Sequence, residues 1–202
     1  MTVSLIVVDD FMANAGQLRQ AALRMTYPEQ ESSFPGRNSV ERINIAGLDS
    51  QVSQIVGEPL RPISPLHSHG KFRVTLAGDE GLARVHVDQS HWSGILYLSR
   101  AEDCRGGTEF FRHIPTNSDR APGTREELER MGYGSFEEMQ AEIGAQSMDE
   151  SKWEMTMQVP MRFNRLVLLR PWLWHTAGPG FGDSIENGRL VHLLFFQSAA
   201  AR

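Results

Sequence analysis

Two residues near the middle of the chain, His86 and Asp88, have the types and the spacing of metal ligands. They lie in the run ARVHVDQSHWSGILYLS, residues 83–99, whose Val, Ile, Leu and Tyr residues are typical of β-strands. Residues i and i+2 of a strand project from the same face, so the imidazole and the carboxylate are expected to point together. Because an isolated buried carboxylate is unfavourable, we expect a positive partner close to Asp88.

His175 is the candidate third ligand. It lies in RPWLWHTAGPG, at the end of a β-type run and just before a Gly/Pro turn. Strands that are distant in sequence can face each other in an antiparallel barrel, which would bring His175 to the pair. Two imidazoles and one carboxylate on one face of a metal leave adjacent positions open and suit ferrous iron in oxygenases. We therefore predict that His86, Asp88 and His175 are metal ligands and catalytic residues, although a polar pair at a sheet edge remains the alternative interpretation of the first two.

The candidate ligands depend on a β core that begins after residue 65. From residue 71 the hydrophobic pattern has a period of two, in KFRVTLAG, LARVHVD, WSGILYLS and GGTEFFRH, and it returns in RFNRLVLLRP, LWHTA and GRLVHLLFFQ. These short runs predict an antiparallel sandwich or barrel over about 66–112 and 160–198. An insertion at about 114–160 separates them, and its segments TREELERMG and SFEEMQAEIGA are helical in character.

The N-terminal region, about 1–65, has a different pattern. SLIVVDD predicts a short strand, whereas NAGQLRQAALRM and LDSQVSQIVGEPL have helical spacing, with Asn14 as the N-cap of the first helix. YPEQESSFPGRNSV contains two prolines and a glycine, which predicts a loop. Helices followed by a β core with one insertion predict an α+β fold in a single domain, 1–202.

Composition limits the partners of the protein. The chain has 202 residues and a formal net charge of −5, which gives no support for a nucleic-acid surface. Cys104 is the only cysteine, so an intrachain disulfide is impossible and we expect a cytoplasmic protein. No segment approaches the roughly 20 apolar residues of a membrane span, so no membrane partner is expected. The basic residues are nearly all arginine, which suggests a bacterial source.

Arg189 opens the run GRLVHLLFFQ near the end of the chain. Alternation along this strand would place Arg189 on the same face as Val191 and Leu193. An arginine among inward apolar residues needs an anion, and its planar guanidinium is suited to a carboxylate bound through two parallel hydrogen bonds. A dicarboxylate cosubstrate would supply that anion.

These segments resemble the core of the 2-oxoglutarate-dependent Fe(II) oxygenases, in particular the prolyl-hydroxylase-like branch. The matching pieces, in the order of that family, are HVDQSHWSGILYLS, GGTEFF, RFNRLVLL, WHTAGP and GRLVHLLFF. The FPGR loop and the FNRLVL strand also resemble a bacterial subgroup. The resemblance implies a double-stranded β-helix, or jelly-roll, core with the N-terminal helices packed on one sheet and a helical insertion between core strands.

The resemblance also implies a role for each candidate residue. His86, Asp88 and His175 would bind Fe(II). Arg189 would hold the distal carboxylate of 2-oxoglutarate, and the hydroxyl of Tyr97 would hydrogen-bond to the same group. The implied reaction consumes dioxygen, releases succinate and CO2, and hydroxylates a C–H bond of an amino acid, a peptide or protein side chain, or a small metabolite. An aspartate at position 88 disfavours halogenation, because related halogenases have Gly or Ala there.

Three points stay open in the sequence. Arg37, in the FPGRN loop, would bind a substrate carboxylate if the loop closes over the barrel mouth, although a solvated turn is the simpler interpretation. The acidic insertion at 114–160 is either a lid or a dimer contact, and the second option would make the protein a homodimer. Two other functions also remain: a noncatalytic sensor that binds a metal or small molecule, and a cupin-type dioxygenase that would not need Arg189.

Overall fold

The computed structural model describes residues 2–29 and 33–200 of the chain. Its strands and helices, in chain order, are β1 (Leu5–Val8), α1 (Ala15–Ala22), β2 (Arg37–Arg42), α2 (Leu48–Val56), β3 (Leu60–Pro62), β4 (Lys71–Thr75), β5 (Trp92–Tyr97), β6 (Gly107–His113), α3 (Arg125–Arg130), α4 (Phe136–Ala145), β7 (Trp153–Pro160), β8 (Leu166–Leu169), β9 (His175–Thr176) and β10 (Arg189–Ser198). None of the helices in these ranges has the length and apolar composition that crossing a membrane requires. The prediction of an α+β chain built on antiparallel sheets is confirmed.

The larger sheet has the strand order β1-β8-β5-β10-β4-β2, and the short strand β3 also pairs with β10. Strand β10 is central, because β5 pairs along one side of it while β4 and β3 share the other side. The N-terminal region therefore contributes three strands to this sheet and is not only a helical support. Two of those strands carried little signal: β2 has the polar sequence RNSVER, and β3 is only three residues long.

The smaller sheet has the order β7-β6-β9, and a single bridge between His86 and His175 extends it. The predicted strand over LARVHVD is therefore reduced to one bridge in the structure. Hydrogen bonding explains this, because the amide of Val85 donates to the carbonyl of Ser147 and the amide of Asp88 donates to the carbonyl of Pro171. The backbone on either side of His86 is thus bonded to two different segments, and a regular ladder cannot form.

Strand β7 corrects the predicted insertion. Residues Trp153–Pro160 pair along the whole length of β6, so the inserted segment ends at residue 152 and not at 160. Met155 and Met157 alternate as strand residues do, but both are exposed on an edge strand, and the polar residues around them led to the assignment of this stretch to the insertion. Within the insertion, α3 and α4 lie inside the two segments predicted to be helical.

Both insertion helices begin at the same kind of N-cap. The hydroxyl of Thr124 accepts a hydrogen bond from the amide of Glu127, and the hydroxyl of Ser135 accepts one from the amide of Glu138. A hydroxyl residue followed three positions later by glutamate is the sequence signature of a capping box. Asn14 also occupies the N-cap position of α1, as predicted, but its side chain makes no capping hydrogen bond.

Three apolar clusters hold these layers together, and the middle one lies between the two sheets. It joins Tyr97, Val167 and Val191 of the larger sheet to Phe110 and Val159 of the smaller one. Helices α1 and α2 share a second cluster with the other face of the larger sheet, and α3 and α4 share a third with the smaller sheet. The site residues must therefore project into the space between the sheets.

Candidate functional site

The structure brings His86, Asp88 and His175 together at one end of the space between the sheets. The Nε2 atom of His86 lies 3.6 Å from Oδ1 of Asp88, and Nε2 of His175 lies 3.4 Å from Oδ2 of the same carboxylate. One candidate ligand atom from each residue lies within 4.8 Å of the others, and this is the one such group of three in the ranges that the structure describes. The His86–His175 bridge is the local reason for this geometry, since it holds both rings on one side of the smaller sheet.

Hydrogen bonds fix the orientation of both imidazoles. Nδ1 of His86 lies 2.9 Å from the carbonyl oxygen of Arg84, and Nδ1 of His175 lies 2.8 Å from the carbonyl oxygen of Leu173. A carbonyl can only accept, so Nδ1 carries the proton in each ring and Nε2 is left with its lone pair. In both rings the nitrogen that faces Asp88 is therefore the one free to bind a metal.

The electrostatics of the cluster favour a positive charge beside Asp88. Burial, and then the neighbouring His175, lowers the pKa of His86 to about 4. Burial alone would raise the pKa of Asp88, but the two histidines and the hydrogen bond from Ser93 outweigh it and lower that pKa to about 2. Burial opposes protonation of His175, but Asp88 outweighs it and raises the pKa of His175. The cluster therefore has the donor set of a divalent cation site, one carboxylate and two imidazoles, and a bound metal would replace the proton that Asp88 favours on His175.

Ser93 supports the carboxylate and was not among the residues predicted from the sequence. Its hydroxyl donates a 2.6 Å hydrogen bond to Oδ2 of Asp88 and is itself 2.8 Å from the hydroxyl of Ser90. Strand β5 places Ser93 opposite Phe195 of β10, on the inward face of the larger sheet. The available signal was its position in HVDQSHWSG, at the start of the strand that follows Asp88.

Arg189 projects into the same space from β10, as the alternation predicts. Its side chain is only 1% exposed, and its Nε and Nη2 atoms have no hydrogen-bond partner within residues 2–29 and 33–200. Burial lowers the pKa of Arg189, yet an arginine stays protonated in proteins. A buried guanidinium with unpaired N–H groups is unfavourable unless an anion meets it. These unpaired groups fit the distal carboxylate of an oxo acid bound at the cluster.

Tyr97 lies next to Arg189 in the same space. The ring of Tyr97 is 6.0 Å from the guanidinium carbon, and its strand position is opposite Val191. Its hydroxyl accepts a hydrogen bond from the amide of Thr108 at 3.0 Å and lies 2.6 Å from the hydroxyl of that residue. Burial raises the pKa of Tyr97, so the phenol remains protonated and keeps one proton to donate.

The structure does not bring Arg37 to the site. Strand β2 places Arg37 opposite Val74, which belongs to the apolar cluster on the outer face of the larger sheet. The inward arginine of this region is Arg73, which lies opposite Val191 on the neighbouring strand. Burial, and then the nearby Arg189, lowers the pKa of Arg73 to about 10. The sequence signal for Arg73 was weaker than that for Arg189, because its same-face neighbours in KFRVT, Lys71 and Thr75, are polar.

Fold and site together define a class of protein: two antiparallel sheets that enclose an HxD and His cluster with a buried arginine beside it. The chain belongs to a family described as a family of unknown function (DUF6445), whose profile matches residues 2–196. No curated protein matches the sequence.

Solved structures with the same fold include two non-heme α-ketoglutarate-dependent enzymes. HygX from Streptomyces hygroscopicus, with nickel and 2-oxoglutarate bound, has a TM-score of 0.60 and 14% identity over 98% of this chain and 84% of HygX. SnoK, a non-heme α-ketoglutarate-dependent carbocyclase from nogalamycin biosynthesis, has a TM-score of 0.55 and 14% identity over 97% of this chain and 80% of SnoK. SnoN, an epimerase of the same kind and pathway, has a TM-score of 0.52 and 14% identity, covering 97% of this chain and 77% of its own. At such identities the likeness establishes the fold.

Proposed function

We propose that the protein is a 2-oxoglutarate-dependent Fe(II) dioxygenase that hydroxylates a C–H bond of an amino acid, a peptide or protein side chain, or a small metabolite. Iron(II) and 2-oxoglutarate are the cofactors, dioxygen is the cosubstrate, and succinate and CO2 are the products. The observation that carries the proposal is the buried Arg189, whose Nε and Nη2 atoms have no partner among the described residues and lie in the same space as the three candidate ligands. A metal site alone would not need that cation.

The residues of the chain have separate tasks in this function. His86, Asp88 and His175 would hold the metal through Nε2 of each imidazole and one carboxylate oxygen, which leaves coordination positions open. The bound iron and oxo acid supply the oxidising chemistry, while the protein provides binding, orientation and exclusion of water. Arg189 would bind the distal carboxylate through two parallel hydrogen bonds, and Tyr97 would present its hydroxyl to the same group.

The structural neighbours support the cofactors and leave the reaction type open. HygX binds nickel and 2-oxoglutarate in one structure and iron in another. SnoK and SnoN are named as a carbocyclase and an epimerase, so the fold accommodates outcomes other than hydroxylation. We propose hydroxylation because it is the usual outcome when 2-oxoglutarate binds beside a full HxD and His ligand set. Asp88 would also occupy the ligand position that a halide takes in related halogenases.

Turnover of 2-oxoglutarate tests the proposal without knowledge of the substrate. The purified protein is loaded with Fe(II) under anaerobic conditions, mixed with 2-oxoglutarate and exposed to oxygen. We expect slow formation of succinate in the wild type, because the oxo acid is consumed without coupling to a substrate. His175→Ala should abolish it. His91→Ala is the matched control, since His91 is paired with Glu58 at 2.7 Å and is not part of the cluster.

Two results would contradict the proposal. Absence of succinate from iron-loaded wild type would favour a sensor that keeps the fold and binds a metal or small molecule without turnover. Succinate formation that survives in His175→Ala would show that the cluster is not the reaction centre. A cupin-type dioxygenase would differ from both, because its activity would not depend on 2-oxoglutarate or on Arg189.

A further inference from the structure

The FPGR segment, which the proposed function leaves unassigned, is anchored by Arg73. The Nε atom of Arg73 donates to the carbonyl of Pro35 at 2.8 Å, and Nη1 donates to Oδ1 of Asn38 at 2.8 Å. Nη2 donates to the carbonyls of Phe34 and Gly36. A single inward guanidinium thus binds four oxygen atoms of residues 34–38, which uses its planar array of donors almost completely.

The same segment is attached to the chain that leads into His86. The amide of Ala83 donates to the carbonyl of Ser33 at 2.7 Å. A Cβ atom at Gly81 would lie 2.6 Å from the backbone nitrogen of Pro35, so only glycine allows this close approach. Gly36 has a φ of +88° and lies against the carbonyl of Val74, where a side chain would be both strained and obstructed. Residues 33–36 are therefore packed between β4 and the segment before His86.

The side chain that this packing directs to the site is Phe34. Its ring centroid lies 4.0 Å from that of His86, with an interplanar angle of 37°. The ring centroid of His175 lies 4.5 Å from that of His86, with an interplanar angle of 47°. The imidazole of His86 is therefore in contact with both the ring of Phe34 and the third ligand. Its Nδ1 contact with the carbonyl of Arg84 fixes one edge of the ring, and Phe34 fixes the plane.

We propose that Arg73 is a positioning residue for the metal site: it holds residues 34–38 so that Phe34 clamps the imidazole of His86 in its ligating orientation. This inference rests on the metal site of the proposed function. Residues that orient a ligand from outside the coordination sphere typically change metal affinity by about 10-fold to 100-fold when they are replaced. We expect metal affinity to fall by about 10-fold, the lower end of this range, because Phe34 acts by packing and not by a hydrogen bond.

The positive charge of Arg73 allows the proposal to be tested by the direction in which metal affinity changes. Arg73 also acts on His86 as a positive charge, which disfavours a nearby cation. If charge were its main effect, Arg73→Gln would tighten metal binding and Arg73→Lys would leave it unchanged. If Arg73 acts by holding the segment, both variants should weaken metal binding, because neither side chain reproduces the four hydrogen bonds.

The experiment measures Ni(II) affinity by titration calorimetry in the wild type and in Phe34→Leu, Arg73→Gln and Arg73→Lys. We expect the dissociation constant to rise about tenfold in all three. Arg42→Gln is the matched control, since Arg42 also binds two backbone carbonyls, those of His69 and His67, but holds a different segment. Its nickel affinity should equal that of the wild type.

A second measurement reports the contact directly in metal-free protein. The imidazole proton shifts of His86, assigned with His86→Gln, carry the ring-current effect of Phe34. We expect Arg73→Gln to move these shifts towards those of Phe34→Leu, which has no aromatic ring to contribute. A wild type that binds no nickel would overturn the metal site and the proposed function. Nickel binding in the wild type with unchanged affinity in Phe34→Leu and Arg73→Gln, or tighter binding in Arg73→Gln, would overturn the positioning role alone.

Discussion

Arg170, just after β8, and Arg189, in β10, are both almost fully buried, and their surroundings are opposite. Arg170, 5% exposed, pairs with Glu58, donates to the backbone carbonyl of His91, and lies 4.2 Å above the ring of Trp92. Arg189, 1% exposed, has two nitrogen atoms with no partner in the described part of the chain. Arg170 is on the outer side of the sheet with the helices, and Arg189 is on the inner side with the candidate metal ligands.

The difference separates a structural arginine from a binding arginine. Burial of a cation is tolerated when the fold itself supplies the anion and the stacking partners, as it does for Arg170. Burial of a cation without an anion reduces stability, and such a group persists at functional sites, where stability is exchanged for binding. We therefore expect replacement of Arg170 to reduce stability and replacement of Arg189 to weaken cosubstrate binding.

The largest effect is expected on cosubstrate binding. Arg189→Met should raise the KM for 2-oxoglutarate in uncoupled turnover by at least about 100-fold, because two charge-assisted hydrogen bonds of about 1.5–3 kcal/mol each are lost. Discrimination against a monocarboxylic 2-oxo acid should fall at the same time. Arg170→Met should leave the KM within about twofold of the wild type. Equal KM values in Arg189→Met and the wild type would refute the role of the inner arginine.

The free energy of unfolding should show the reverse order. Arg170→Met should lower it by about 3 kcal/mol, because Glu58 and His91 lose their buried partner. Arg189→Met, without cosubstrate, should be as stable as the wild type or more stable, since it removes an uncompensated buried charge. Urea unfolding of the metal-free proteins measures both. A large destabilisation by Arg189→Met would mean that this arginine is structural as well.

A buried histidine on the other face of β10 leads us to expect that the free energy of unfolding depends on pH. The side chain of His192 projects from the face of β10 opposite to that of Arg189. It is fully buried and stacks on Phe72 with a centroid distance of 4.5 Å. Burial lowers the pKa of His192 from 6.5 to about 4, so the unfolded chain takes up its proton at a higher pH than the folded protein. The free energy of unfolding should therefore fall as pH is lowered from about 6.5 to about 4.

His192→Leu should make that fall shallower by the contribution of one proton. The comparison is made in metal-free protein by urea unfolding at several pH values, so that His86 contributes equally to both chains. An identical pH dependence in the wild type and in His192→Leu would show that folding does not lower the pKa of His192.

The smallest effect is expected at Ser93. Its hydroxyl donates to Oδ2 of Asp88 at 2.6 Å and orients the carboxylate. Ser93→Ala should weaken Ni(II) binding by about tenfold while the cosubstrate KM changes little. Ser99→Ala is a matched control, because Ser99 is a buried serine that bonds to the backbone of Gly188 and Leu190 and not to the cluster. Equal nickel affinities in both variants would contradict a role for Ser93 at the carboxylate.

Much of the site was predictable because it depends on strand alternation. The inward Arg189 follows from alternation along β10, and the HxD spacing predicted the convergence of His86 and Asp88 although their segment forms only one bridge, to His175. Arg37 and Arg73 show the limit of that reasoning. The FPGRN loop attracted attention to Arg37, whereas the register of β2 against β4 turns Arg37 outward and leaves Arg73 inward. Register between strands is a tertiary property that one sequence does not reveal.

The strands can likewise be divided into those that the sequence predicts and those that it does not. Strands with buried alternating residues, such as β5 and β10, were predictable from the sequence. Strands β2, β3 and β7 were not, because they are polar, very short or exposed, and only their neighbours make them strands. For the His86 segment the error was the opposite, because a strand was predicted where none forms. Its pattern is that of a strand, but its backbone bonds to Ser147 and Pro171 and forms only one bridge.

The central claim is that three ligands and one buried arginine form a single site for a metal and an oxo acid. Titration calorimetry of 2-oxoglutarate into the protein, with and without Ni(II), tests it most directly. We predict one binding site per chain in the nickel-loaded protein and at least a tenfold loss of affinity without nickel, because the metal and Arg189 hold opposite ends of the same molecule. Absence of binding to the nickel-loaded protein, or equal affinity with and without nickel, would contradict the account.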